Sequence, residues 1–162
     1  MYLVRRAQPR DADTVARMTA SAAADDGLSA PALDADLVRA HGFGLQPLFE
    51  AWVAEDRTGR AVGAAIAHKG YDIQNACATL VVASLYVAPE ARRGGLARQI
   101  ISELSKRAMD VGAREVIITT GVNNLVAQQF FAAIGARARA QASYTLERDA
   151  IERYGIEEIV TN

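Results

Sequence analysis

Val87-Ala88-Pro89-Glu90-Ala91-Arg92-Arg93-Gly94-Gly95-Leu96-Ala97-Arg98 decides how the rest of the chain is read. Before it, Ala76 to Val87 is nearly continuous apolar sequence rich in Val and Leu, the pattern of a central strand covered on both faces, and Pro89 ends it. After it, Leu96, Ile100, Leu104, Ala108 and Val111 fall on one helical face with Ile101 beside them, and Gly112 stands where a left-handed cap belongs. A turn from a buried strand into a long helix gathers free amide hydrogens and the positive end of the helix dipole at one point. Two glycines let the backbone come close to a bulky anion such as a pyrophosphate, and Arg92, Arg93 and Arg98 add charge. The same residues also suit an ordinary turn with solvated arginines, and the stretch alone leaves both readings open. It is not a P-loop, because no Gly-Lys-Ser or Gly-Lys-Thr follows, and the three spaced glycines of a dinucleotide fingerprint are absent.

Outward from this unit the period of the apolar residues assigns the other elements. Tyr2 to Ala7 reads as a first strand, and Pro9-Arg10-Asp11 as a turn whose Asp11 caps a helix carrying Val15, Met18 and Ala22. Ala24 to Pro31 is a connector, and Pro31 to Ala40 a second short helix. Ala51 to Ala54 and Ala61 to Ile66 flank Asp56-Arg57-Thr58-Gly59-Arg60, the pattern of an antiparallel hairpin. Val116 to Thr120 is β-branched and short, a strand expected to run parallel to the previous one after a right-handed crossover. Asn123 or Asn124 caps a helix with Ala127, Phe130, Phe131 and Ile134 on its apolar face, stopped by Gly135, and Tyr144-Thr145-Leu146 reads as a last strand. The class is mixed α/β.

With 162 residues, one domain covering 1–162 is expected. Hydrophobic residues at 51% and charged residues at 23% are enough apolar sequence to fold. The formal charge of -1 provides no global basic field for nucleic acid or an anionic membrane. No stretch is apolar enough to span a bilayer, and none at the start resembles a signal peptide. A single cysteine, Cys77, excludes an internal disulfide and a multi-cysteine zinc site, fits a reducing cytoplasm, and is expected to be an inert core thiol. With two histidines, His41 and His68, both expected in surface loops, no metal site is expected.

Arg92-Arg93-Gly94-Gly95-Leu96-Ala97 has the form R-x-x-G-x-A. It resembles the acetyl-CoA pyrophosphate loop of the GCN5-related N-acetyltransferases, preceded as usual there by an apolar-aromatic strand end, Leu85-Tyr86-Val87, and by Pro89. Asn124 to Ala136, with an Asn, an Ala, the pair Phe130-Phe131 and Gly135, resembles the family's later motif, in order and at the expected separation. Gly42-Phe43-Gly44, Pro47, Val53-Ala54-Glu55, Leu104 to Met109 and Gly135-Ala136 are similar to the diamine and thialysine N-acetyltransferase subgroup.

The resemblance implies a fold and a mechanism. The fold would be a mostly antiparallel sheet of six to seven strands with about four helices, splayed into a V between the fourth and fifth strands. Backbone groups of Leu85 and Val87 would pair with the pantetheine amides, and amides from Arg93 to Ala97 would hold the pyrophosphate. A neutral amine would attack the thioester, a backbone amide near Tyr86 or Val87 would stabilise the oxyanion, and Asn124 would contact pantetheine or hold its helix. The implied activity is transfer of an acetyl group from acetyl-CoA to a primary amine of a small molecule, diamine or amino-acid-like, by a homodimer. In the family the acceptor entrance borders the region of Asp25, Asp26, Asp34 and Asp36, which would suit a cationic amine but fit a solvated acidic face better.

Two positions depart from the family. Phe131 stands where the usual acid is a tyrosine, and Ala83-Ser84 where the diamine subgroup has Glu-Asp. Ser84 and Tyr144 are the remaining candidate hydroxyls for proton transfer, with Tyr86 near the same slot. The departures also allow an acyl-CoA-binding sensor or partner module that keeps the coenzyme slot without the chemistry.

Overall fold

The computed structural model describes the backbone of residues 1–160 and the side chains of residues 1–155. The chain forms two compact units, Met1–Gln128 and Gln129–Asn162. The first holds a five-stranded sheet in the order β1-β2-β3-β4-β5: β1 (Leu3–Arg6), β2 (Glu50–Glu55), β3 (Ala61–Asp72), β4 (Cys77–Val87) and β5 (Glu115–Ile118). Neighbours are antiparallel except β4 and β5, which are parallel and are joined through the helix α3 (Leu96–Asp110). The α/β sheet, its parallel fourth and fifth strands and the long helix after the glycine pair agree with the expected fold.

Apolar periodicity explains the layers. One core joins Trp52, Leu80 and Val82 of the strands to Leu96, Ile100, Leu104 and Ala108, which recur every fourth residue along α3. A second core joins Val15 of α1 (Ala12–Asp25) and Val38 of α2 (Ala35–Gly42) to Ala51, Val53 and Ile66. Gly112 (φ +71) ends α3 in the left-handed conformation.

Several boundaries move for identifiable reasons. Asp11 does not cap α1 through its side chain. Arg5, projecting from β1, takes its carboxylate at 2.8 Å, and the Gln8 N–H donates to it at 2.7 Å. The second helix starts at Ala35, not Pro31, because Asp34 accepts the Leu37 N–H at 2.8 Å as its cap. His41 lies in α2 and His68 in β3, both half-buried, so neither belongs to a loop. Cys77 is free and buried in β4.

The second unit begins within α4 (Leu125–Ala133) and contains α5 (Arg148–Val160). Gly135 (φ +90) follows α4, and Phe130 and Phe131 meet edge to face at 5.4 Å between centroids. Residues 136–147 form no strand, so the described sheet has five strands where six or seven are expected. In the alternation of alanine and arginine from Ala136 to Ala140 one strand face would carry only methyl groups, too little apolar area to drive pairing, and Tyr144 is 94% exposed.

Candidate functional site

The parallel pairing of β4 with β5 covers Thr79 to Val82 of β4 and stops there. β4 continues to Val87 against β3 alone, leaving its last five residues, Ala83 to Val87, open on the β5 side. This is the V between the fourth and fifth strands.

A bulge determines which backbone groups face the opening. Ile66 pairs with Ser84 and Ala67 with Val82, so Ala83 is an extra residue in β4. Below the bulge, even-numbered residues turn to β5: the Ala78 and Val82 carbonyls accept the Arg114 and Thr119 N–H groups at 2.9 and 3.3 Å. Above it the phase is reversed. The Ala88 N–H donates to the Val62 carbonyl at 2.9 Å, so strand alternation also turns the backbone groups of Tyr86 and Ser84 to β3. The N–H and C=O groups of Leu85 and Val87 therefore face the V. Ser84, Leu85, Tyr86 and Val87 are all half-buried.

The chain then turns through Pro89–Ala91 into the glycine loop. Arg93 has φ +62 and Gly95 φ +81, with Gly94 between them outside the left-handed region. Such alternation turns successive N–H groups toward one point, the geometry of an anion-binding nest. Arg93 is strained there, by about 1 to 2 kcal/mol for a left-handed L-residue, whereas Gly95 adopts the conformation freely. Gly94 is closely packed: a Cβ there would lie 3.0 Å from the Tyr2 hydroxyl, which would have to shift slightly to admit it. Among the described residues, no acceptor meets the backbone N–H of Arg93, Gly94, Gly95, Leu96, Ala97 or Arg98. The helix dipole of α3 adds positive potential at the same place.

The arginines of the loop are not equivalent. Arg92 donates through Nε to the Val87 carbonyl at 2.9 Å, pairs with Asp25 at 2.6 Å and lies 5.9 Å over the Tyr86 ring. Arg93 and Arg98 are exposed and, among the described residues, have no carboxylate partner. Leu96 is buried and anchors the start of α3, and Ala97 is half-buried.

Asn124 caps α4, accepting the Ala127 N–H at 3.1 Å, and donates to Asp26 at 2.7 Å. Thr120 donates to the same Asp26 oxygen at 2.9 Å. Sequence reading did not find these contacts of Asp25 and Asp26, which link residues 67 to 98 positions apart. The two aspartates are thus engaged, while Asp34 is a cap and Asp36 pairs with Arg39. Leu85 to Arg98 and Asn124 belong to the first unit; Phe131 and Tyr144 belong to the second.

An open strand edge running into a nest of free amides is the arrangement expected of an acyl-CoA slot. Residues 19–136 match the acetyltransferase (GNAT) family, and the chain belongs to that family. It is 28% identical over 160 residues to a thialysine N-epsilon-acetyltransferase of Sus scrofa, covering 92% of this chain and 94% of the relative. Over 92 residues it is 34% identical to an aminoglycoside N(6')-acetyltransferase type 1 of Serratia marcescens, covering 55% of this chain and 63% of that protein. The fold is similar to that of an aminoglycoside N-acetyltransferase in complex with CoA, with a TM-score of 0.74 and 19% identity over 91% of this chain and 95% of the other. No helix among the described residues is long and apolar enough to cross a membrane.

Proposed function

We propose that residues 1–162 act as one N-acetyltransferase domain that moves the acetyl group of acetyl-CoA to a primary amine of a small molecule, diamine or amino-acid-like. The observation that carries this reading is the row of unengaged amides from Arg93 to Arg98, reached directly from the open end of β4. Those amides suit a diphosphate, and Arg93 and Arg98 offer charge beside it. The Leu85 and Val87 backbone groups suit the pantetheine amides, which would add to β4 as a further strand would. Acetyl-CoA, when bound, supplies the activated acetyl thioester.

The protein's part is to hold and polarise. An acceptor amine beside the thioester gains from proximity, worth roughly 7 to 11 kcal/mol in favourable cases. Strand alternation turns the Tyr86 N–H to β3 and the Val87 N–H to the V, so of these two only the Val87 N–H is open to an oxyanion, and in that case the pantetheine would pair through Leu85. Net transfer forms one N–C bond, breaks the C–S bond and moves one amine proton to the thiolate. Phe131 cannot deliver that proton. The hydroxyls of Ser84 and Tyr144, or water, are the routes assigned here. Restoring the family's hydroxyl by Phe131→Tyr should raise kcat about tenfold or more if protonation limits turnover; an unchanged kcat would place the limit elsewhere.

The setting proposed is cytoplasmic, and the assembly a homodimer with Tyr144–Leu146 contributing to the contact. Thr145 lies between Tyr144 and Leu146, which are both exposed and so available to a second copy. Phe131, Ala83 and Ser84 favour a second reading, an acyl-CoA-binding sensor with little or no turnover. Release of CoA thiol from acetyl-CoA across a panel of primary amines separates the two. Amine-dependent release supports the enzyme; saturable acetyl-CoA binding with no release by any amine supports the sensor.

A further inference from the structure

The turn that ends α1 engages both walls of the slot through consecutive side chains. Asp25 pairs with Arg92 on the glycine loop, while Asp26 accepts from Thr120 and Asn124 on the segment after β5. Asp26 is half-buried, and both donors converge on its Oδ1 at 2.9 and 2.7 Å. The backbones are equally close. A Cβ at Gly121 would lie 2.5 Å from the Asp26 carbonyl oxygen and 3.0 Å from its Cβ, so only glycine fits there. Gly121 is outside the left-handed region, so its requirement comes from this approach and not from backbone conformation.

We propose that Asp26 is a positioning residue for the coenzyme slot: its carboxylate fixes Thr120 and Asn124, and with them the β5 wall, at the width that accepts acetyl-CoA. This rests on the acetyl-CoA reading above and deepens it. Asn124 gives its oxygen to the Ala127 N–H and its amide to Asp26, so its side chain is held at both ends. Releasing one end frees the Asn124 side chain and the Thr120–Asn124 corner, and a slot that must first be ordered binds more weakly. The role needs an acceptor oxygen on residue 26, not its negative charge. A residue that recognised a cationic amine would need the charge.

Calorimetric titration of acetyl-CoA into the full-length wild type, Asp26→Ala, Asp26→Asn and Gly121→Ala tests this, with thermal unfolding of each variant alongside. Asp26→Ala should weaken acetyl-CoA about fivefold or more, the scale of one or two lost hydrogen bonds. Gly121→Ala, which displaces Asp26 without touching its carboxylate, should weaken it to a similar degree. Asp26→Asn keeps an oxygen for both donors and should stay within about twofold of wild type. An unaltered affinity in folded Asp26→Ala, or an Asp26→Asn as weak as the alanine variant, would overturn the positioning role. Failure of the wild type to bind acetyl-CoA would instead overturn the coenzyme reading itself, and the inference with it.

Discussion

Two sets of arginines in the first unit carry the same charge to different ends. On the β1–β2 side, Arg107 makes a bidentate pair with Glu50 at 2.8 and 2.6 Å, and Arg6 adds a third contact at 2.6 Å while lying 4.7 Å over the Trp52 ring. Arg5 is held by Asp11 and Glu55. At the start of α3, Arg93 and Arg98 have no carboxylate partner among the described residues and stand beside free amides. Satisfied arginines tie β1, β2 and α3 together; unsatisfied ones leave positive potential beside the free amides, as the proposed diphosphate site requires. Arg92 belongs to both sets, since its partners Asp25 and the Val87 carbonyl lie at the slot itself.

The contrast can be broken from the structural side first, where the largest effect is expected. Glu50→Ala would leave Arg107 without its partner, and loss of a charged hydrogen-bonded pair at this partly buried site should cost about 2 to 3 kcal/mol. Differential scanning calorimetry should then find the melting temperature lower by about 4 to 12 °C, while acetyl-CoA affinity stays as in the wild type. A loss of affinity instead would show that the two sets are not separable.

The same cluster predicts a pH dependence. Burial pushes the Glu50 carboxyl up, but the hydrogen bond from Arg107 and the charges of Arg6 and Arg107 outweigh it and hold it below the usual carboxylate range. The Arg5 hydrogen bond does the same for Asp11. In both, the folded protein binds fewer protons than the unfolded chain as pH falls. Their stabilisation is therefore complete above the ordinary carboxylate value of about 4 and is lost as pH drops through the lower folded values. Chemical denaturation from pH 6 to 3 should show this acid loss in the wild type and a shallower one in Glu50→Gln. Equal slopes would remove Glu50 from the account.

The smallest effect is expected on the functional side. Arg93→Ala and Arg98→Ala should each weaken acetyl-CoA by up to about fivefold at low salt, in line with exposed charges near a helix start. The difference should shrink in high salt, and the melting temperature should stay within a degree or two. Variants as destabilised as Glu50→Ala would place these arginines in the structural set.

Much of this arrangement was legible in the chain because it is local. The step from the apolar run ending at Val87 to the helical period starting at Leu96, with Gly94-Gly95 between, marks strand, nest and helix within twelve residues. Gly112 and Gly135 were readable as stops for the same reason, since each adopts a left-handed φ immediately after a helix. What escaped depends on partners far along the chain. Asp11 has the sequence context of a cap, yet Arg5 reaches it from β1. The bulge at Ala83 follows from the register of β4 on β3, so nothing in Val82-Ala83-Ser84 alone reveals which carbonyls turn to the V. Asp25 and Asp26 read as an acidic turn, and only the folded chain brings Arg92, Thr120 and Asn124 to them. Tyr144-Thr145-Leu146 shows the reverse error: a strand-like pattern of three residues does not by itself form a strand.

The central claim is that backbone hydrogens at the start of α3 grip the diphosphate of acetyl-CoA, and one titration tests it most directly. Acetyl-CoA is titrated calorimetrically into the wild type and into Gly95→Asp, which adds a negative charge at a nest residue with φ +81 whose Cβ would meet nothing within 4 Å. The account predicts saturable one-to-one binding to the wild type and affinity about thirtyfold or more weaker in the variant, from a misplaced charge worth about 2 kcal/mol. Equal affinity for the two folded proteins would contradict it.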